Sequence, residues 1–186
     1  MLNNKFSKGV IFSCIAAIFW GLPQPLFFNE LNHVETIEVV AHRGFWSFIF
    51  LFLLLILISN ISDFIEIFKS RKRIFILTIT AFLIAGNWAG FIYSVGQERV
   101  QDASMGYFIT PMISIILGYF FLNEKITKPK FASVCLMFLG ILFLFINLNQ
   151  FPFLIIWIGT SWAIYGLLRK QVNVNPSIGL LYETFI

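Results

Sequence analysis

The stretch from Glu38 to Ile58 reads EVVAHRGFWSFIFLFLLLILI, and its reading decides the fold. The apolar run inside it, Gly44 to Ile58, is 15 residues long. As a helix it covers roughly 22 Å at about 1.5 Å per residue. A bilayer core is about 30 Å thick. A helix crossing it here must draw His42, Arg43 and Glu38 below the surface. Each such charge costs about 2.5–3.5 kcal/mol even on a mild insertion scale, so these residues mark a pathway or a binding site.

The whole chain supports a membrane setting. Of 186 residues, 59% are hydrophobic and 12% charged, and 24 are phenylalanine. A soluble domain carries about twice that charge. The formal net charge of +4 is spread over short loops between apolar runs. That pattern reports membrane orientation and excludes a nucleic-acid footprint. Cys14 and Cys135 lie in apolar segments and read as buried thiols, without disulfide or metal spacing. The first apolar run, Gly9 to Phe28, is long enough to span and has no small-residue cleavage site after it.

The expected fold class is therefore all-α, a polytopic helical membrane protein. Six apolar segments run approximately 9–28, 37–58, 74–96, 103–122, 131–148 and 151–168, and a seventh begins near 177. Short connections make consecutive helices antiparallel neighbours. Lys5 and Lys8, the Lys69 to Arg73 group, Lys125 to Lys130, and Arg169 with Lys170 place 11 of 13 Lys/Arg on one side. The opposite side has Arg99, and Arg43 lies within the membrane. The positive-inside rule then puts the N-terminus in the cytoplasm and His42-Arg43 in the outer third of the second helix. Between Ser59 and Arg73, Ile61, Phe64, Ile65 and Phe68 recur at helical spacing among charged residues. Two readings stay open there: a short amphipathic helix at the inner interface, or a frayed extension of the second helix.

Several polar positions have both a functional and a packing reading. Ser104, Tyr107, Pro111, Ser114 and Gly118 share one face of the fourth helix. This stripe lines a cavity or packs helices closely. Asn87, between Gly86 and Trp88, is an amide whose donors and acceptor need partners, from substrate or from another helix. Trp20-Gly21 followed by Pro23 and Pro25 marks a bent, gate-like terminus or a plain helix stop. Arg43 either snorkels outward along its stem or serves a site. Glu38 stands four residues before His42, the spacing for a same-face carboxylate–imidazole contact, which favours the site.

The run Glu38 to Arg43 with Trp46-Ser47, the Gly86-Asn87-Trp88 turn and Ala103 to Pro111 resemble the RarD branch of the EamA transporters, in the drug/metabolite transporter superfamily. So do Phe121 to Glu124, Tyr165 to Lys170 and Leu181 to Thr184, in order along nearly the whole chain. Thr110 departs from the asparagine usual before that proline. The resemblance implies two five-helix repeats of opposite orientation with substrate at their interface. Residues 1–148 then form the first repeat and 149–186 begin the second. Trp20-Gly21 corresponds to Tyr165-Gly166, and His42 to Glu183. The chain stops inside an apolar segment, which suggests a truncated product, one piece of a split gene or a partial sequence.

The expected function is transport of small metabolites or drugs across the cytoplasmic membrane, as an exporter working by alternating access. Glu38, His42, Arg43 and Glu183 are the candidates for substrate or proton coupling. Trp20, Asn87, Ser104, Tyr107, Thr110 and Tyr165 are the candidate cavity lining. No catalytic residue, metal ligand or cofactor is expected. The expected partners are the bilayer, a small-molecule substrate, and self or a second polypeptide supplying further helices. Two competitors are an inactive truncated remnant or interaction subunit, and an intramembrane enzyme using His42 as base. The enzyme reading lacks a paired nucleophile.

Overall fold

The computed structural model describes residues 4–57, 61–146 and 152–186. Every regular element among them is a helix: α1 Asn4–Gly21, α2 Pro23–Glu30, α3 Thr36–Leu57, α4 Ile61–Ile67, α5 Arg71–Gly96, α6 Val100–Leu122, α7 Lys128–Ile146, α8 Phe153–Gln171 and α9 Pro176–Phe185. Five described spans are long and apolar enough to cross a membrane: 7–30 (α1 and α2 together), α3, α5, α6 and α7. The protein is an all-α, multi-pass membrane protein. The expected sixth segment forms α8, of 19 residues, but falls outside that set of five. Its last turn carries Arg169 and Lys170, and its length holds Thr160, Ser161 and Tyr165.

Local chemistry places the boundaries. Pro23 and Pro25 lack the N–H that an unbroken helix needs, and the first span breaks at Leu22. Helix resumes at Pro23 and runs to Glu30, so the prolines interrupt the span rather than stop it. The Ser70 hydroxyl accepts from the Arg73 amide and caps α5. α6 ends on Asn123, whose φ of 53° is left-handed, with the Glu124 amide returning to the Gly118 carbonyl. Asn175 caps α9 by accepting from the Ser177 amide, and Pro176 takes the first helical position.

α4 is helical over its described residues; its junction with α3 falls at residues 58–60, so the choice between a separate helix and an extension of α3 lies outside the described residues. Its apolar face packs inward on α9. Ile67 is fully buried and the Phe64 ring meets Phe185 at 6.4 Å. Ile65 remains exposed.

Two apolar cores sit at opposite ends of the bundle. At the basic end, Leu55, Ile67 and Leu77 pack with Ile178, Leu181 and Tyr182 of α9. At the other end Phe28, Val39, Phe91, Ile92, Val95, Ala103 and Ile158 pack together. α8 lies between α5 and α6, and its contact with α6 is the most extensive in the bundle. That crossing depends on two glycines. A Cβ on Gly159 would stand 2.6 Å from the Gly106 carbonyl oxygen, and one on Gly106 would stand 2.8 Å from Ile158. The backbones touch where side chains would separate them.

α7 buries no residue, nor does the 7–30 span over its most apolar stretch. Cys14 and Cys135 sit on these helices and are exposed, which corrects the expectation of buried thiols. A helix apolar all round reads the same whether it faces lipid or protein. At the basic end Lys170 pairs with Glu124, joining the ends of α8 and α6. That hydrogen bond, with the Lys170 charge, holds the Glu124 carboxyl below the usual carboxylate range.

Gly159→Val is expected to destabilise the protein by about 1–3 kcal/mol through overpacking against the α6 backbone. An unfolding titration in mixed micelles measures this; unchanged stability means that the helices do not approach so closely.

Candidate functional site

A cavity of about 930 Å³ opens between the α1–α2 span and α3. Aromatic side chains dominate its wall: Phe19, Trp20, Phe27, Phe28 and Trp46. Glu38, His42, Arg43, Ser47 and Gln24 supply its polar groups. A large apolar pocket with a few convergent polar groups has the make-up of a small-molecule site. The helix break at Leu22 falls within one wall, between Trp20 and Pro23. The other wall is a helical stripe, since Glu38, His42 and Trp46 recur every four residues.

Arg43 is half-buried and turned into the protein. Its guanidinium lies 4.1 Å from the Trp88 ring centroid on α5 and 5.5 Å from that of Phe28 on α2. Trp88 is eight residues from the end of α5 and Arg43 is seven residues into α3. Both therefore lie roughly 10–12 Å below the same end of the bundle at 1.5 Å per residue. The stem does not run outward to the surface, and the cation rests on π faces instead. No ion pair or hydrogen bond joins Glu38 to His42 or to Arg43 among the described residues. Glu38 and His42 are exposed at the cavity wall.

The other expected lining residues are placed elsewhere. Asn87 is fully buried behind this wall. Its amide donates to the Ile158 carbonyl and to the Ser161 hydroxyl, both at 2.9 Å, and its oxygen accepts from the Tyr107 hydroxyl at 3.2 Å. One amide thus ties α5 to α8 and α6. Tyr107 also meets Trp20 edge-on at 6.2 Å and Trp162 at 6.5 Å, so it backs the cavity through Trp20. Thr110 bonds the Gly106 and Gly159 carbonyls at the tight crossing, both at 3.3 Å. Ser104 is exposed and bonds back to the Val100 carbonyl of its own helix. Ser114 and Gly118 border a smaller groove of about 340 Å³ between α6 and α8. The stripe on α6 is thus divided among packing, backing and surface roles.

Tyr165 and Glu183 form a separate cluster toward the basic end. Glu183 Oε1 accepts from the Thr80 hydroxyl at 2.6 Å, and Oε2 accepts from Tyr165 at 3.1 Å. Arg169 Nε lies 3.6 Å from Oε1. The symmetry reasoning reached Glu183 but missed its partners. Thr80 has no distinguishing sequence context, and Arg169 read as one more loop cation. Phe27 and Phe28 were missed at the cavity and Trp88 as the partner of Arg43, although Phe19, Pro23 and Phe27 already stand at steps of four.

Asn87→Leu leaves the Ile158 carbonyl and the Ser161 and Tyr107 hydroxyls without this partner. The expected loss is about 1–3 kcal/mol of stability. It is checked by the unfolding midpoint in mixed micelles against Leu57→Ala, a change at an exposed position.

Comparison with known proteins gives a consistent relationship. The EamA-like transporter family matches residues 7–146. An uncharacterized transporter of Vibrio cholerae serotype O1 is 33% identical over 177 residues, covering 95% of this chain and 58% of the relative. Protein RarD of Salmonella typhimurium is 34% identical over 177 residues, with 95% and 60% covered. Protein RarD of Escherichia coli strain K12 is 33% identical with the same coverage. The chain thus spans about 60% of the length of these curated relatives. No solved structure matches the chain. With the family matching all five membrane-length spans, from the interrupted first span to α7, the chain belongs to the EamA-like transporter family.

Proposed function

We propose that this chain moves small metabolites or drugs across the cytoplasmic membrane, as an exporter working by alternating access. The observation carrying this reading is the 930 Å³ aromatic cavity with Arg43 drawn into its wall. A cation at that depth is expensive, and an anion or dipole in the cavity offsets the cost. Arg43 has no carboxylate partner among the described residues, which favours a substrate bearing an anionic or strongly polar group. The aromatic wall takes the apolar part of such a molecule. Glu38 and His42, exposed on the same wall, are the candidates for proton coupling.

The distribution of basic residues supports a cytoplasmic N-terminus, with the cavity toward the outer side. Residues 1–148 are read as the first of two repeats and 149–186 as the start of the second. The names of the similar proteins, RarD and transporter, agree with transport rather than catalysis. Unburied faces on α7 and the 7–30 span leave room for lipid, a second copy or a second polypeptide to pack there.

A comparison of metabolites inside and outside cells with and without the complete gene identifies the substrate. Arg43→Gln is then expected to lower its transport about tenfold or more at unchanged membrane levels, with Arg43→Lys retaining part of it. Arginine's flat guanidinium suits the perch over Trp88 and an oxyanion together, and lysine supplies charge alone. Unchanged transport in Arg43→Gln removes Arg43 from the site. A substrate that emerges chemically altered from sealed vesicles overturns transport in favour of an intramembrane reaction.

A further inference from the structure

The Glu183 cluster shares no residue with the cavity. Glu183 is 5% exposed and is the one ionisable side chain among the buried polar residues described. It lies on α9, seven residues in from Pro176, so roughly 10 Å below the basic end at 1.5 Å per residue. Three donors converge on its carboxylate: Thr80 of α5, and Tyr165 and Arg169 of α8. Arg169 also donates from Nη2 to the Pro176 carbonyl at 3.3 Å, tying it to the first turn of α9. Its guanidinium lies directly against Gly179, where no Cβ would fit beside it. A single carboxylate therefore clamps α9 to α5 and α8.

The clamp closes over an apolar seal. Leu77, one turn from Thr80, is fully buried with Ile178 and Leu181 of α9 and with Leu55 of α3. α5 also carries Trp88, the perch of Arg43, eight residues beyond Thr80. That separation is about 12 Å along one continuous helix. The cavity reaches the α2–α3 connection at Leu31 and Val34, whereas Leu55, Leu77, Ile178 and Leu181 beside the clamp are buried.

We propose that Glu183, with Thr80, Tyr165 and Arg169, is the latch that holds the basic end of the protein closed while the cavity at the opposite end is open. The proposal rests on the transport reading above and adds the device that makes the two openings exclusive. Releasing Glu183 removes the carboxylate tie of α9 to α5 and α8, leaves among the described residues only the Thr78–Tyr182 and Arg169–Pro176 hydrogen bonds there, and loosens the seal around Leu77. A buried ion pair suits a latch, because removing one partner leaves an uncompensated charge and favours any form that admits water.

Labelling from each side of the membrane tests this without measuring transport. The protein has its native cysteines, Cys14 and Cys135 among them, replaced by serine. It carries one reporter, Leu77→Cys under the seal or Ser47→Cys in the cavity, and meets an impermeant maleimide in sealed vesicles of each orientation. With the latch intact, Leu77→Cys is silent and Ser47→Cys is labelled from the side opposite the basic loops. Adding Glu183→Gln, or the milder Thr80→Val that keeps the ion pair, is expected to raise Leu77→Cys labelling from the basic side about tenfold. Labelling at Ser47→Cys falls in the same variants. Silence at Leu77→Cys in both variants overturns the latch. A rise at Leu77→Cys without a fall at Ser47→Cys also overturns it, since it shows general loosening rather than exchange. Failure of the transport reading is seen separately, as Ser47→Cys beyond reach of water in the intact protein or as a substrate that emerges chemically altered from sealed vesicles.

Discussion

The buried amide of Asn87 is the constraint on which the rest of the structure depends. It sits where water cannot serve it, so each of its hydrogen bonds must come from another helix. It finds them on α8 and α6 at once, through the Ile158 carbonyl, Ser161 and Tyr107. Lipid tails give apolar helices no reason to prefer one another, so association falls to such bonds and to close packing. The Gly106–Gly159 crossing supplies the packing, and the amide supplies register.

The cavity inherits that order. Trp88 follows Asn87 and holds the Arg43 guanidinium over its face, while Tyr107 holds the edge of Trp20. Neither Asn87 nor Tyr107 lines the cavity, yet both set where its wall stands. The distinction separates residues that line the cavity from residues that position those that do. It also explains why one polar stripe on α6 serves several purposes: a helix in the middle of a bundle presents different faces to different neighbours along its length.

Charge is handled in two ways in this protein. Arg43 has aromatic faces and a cavity, an arrangement that leaves its charge available. Glu183 has two hydroxyls and a guanidinium, an arrangement that uses its charge up. The first suits recognition and the second suits closure. Both lean on α5, about 12 Å apart along one continuous helix.

Much of this was legible in the residues alone. Apolar run lengths determined the helical membrane fold, because a bilayer sets a minimum span and requires backbone hydrogen bonds to be met internally. The shortness of the run after Arg43 exposed the costly charge, and the prolines after Trp20 exposed the interruption. The ordered motifs pointed to the family. What the residues could not determine was direction: an apolar helix facing lipid has the same composition as one facing protein, so Cys14 and Cys135 were misread. Nor does spacing along one helix reveal partners on another. Glu38 and His42 have the spacing for a contact they do not make, and Arg43 turns instead to Trp88, 45 positions away. Thr80 and Arg169 became the partners of Glu183 only when packing brought α5, α8 and α9 together. Local sequence sets which segments can cross a membrane; which faces meet is settled by close packing and by the need of each buried polar group for a partner.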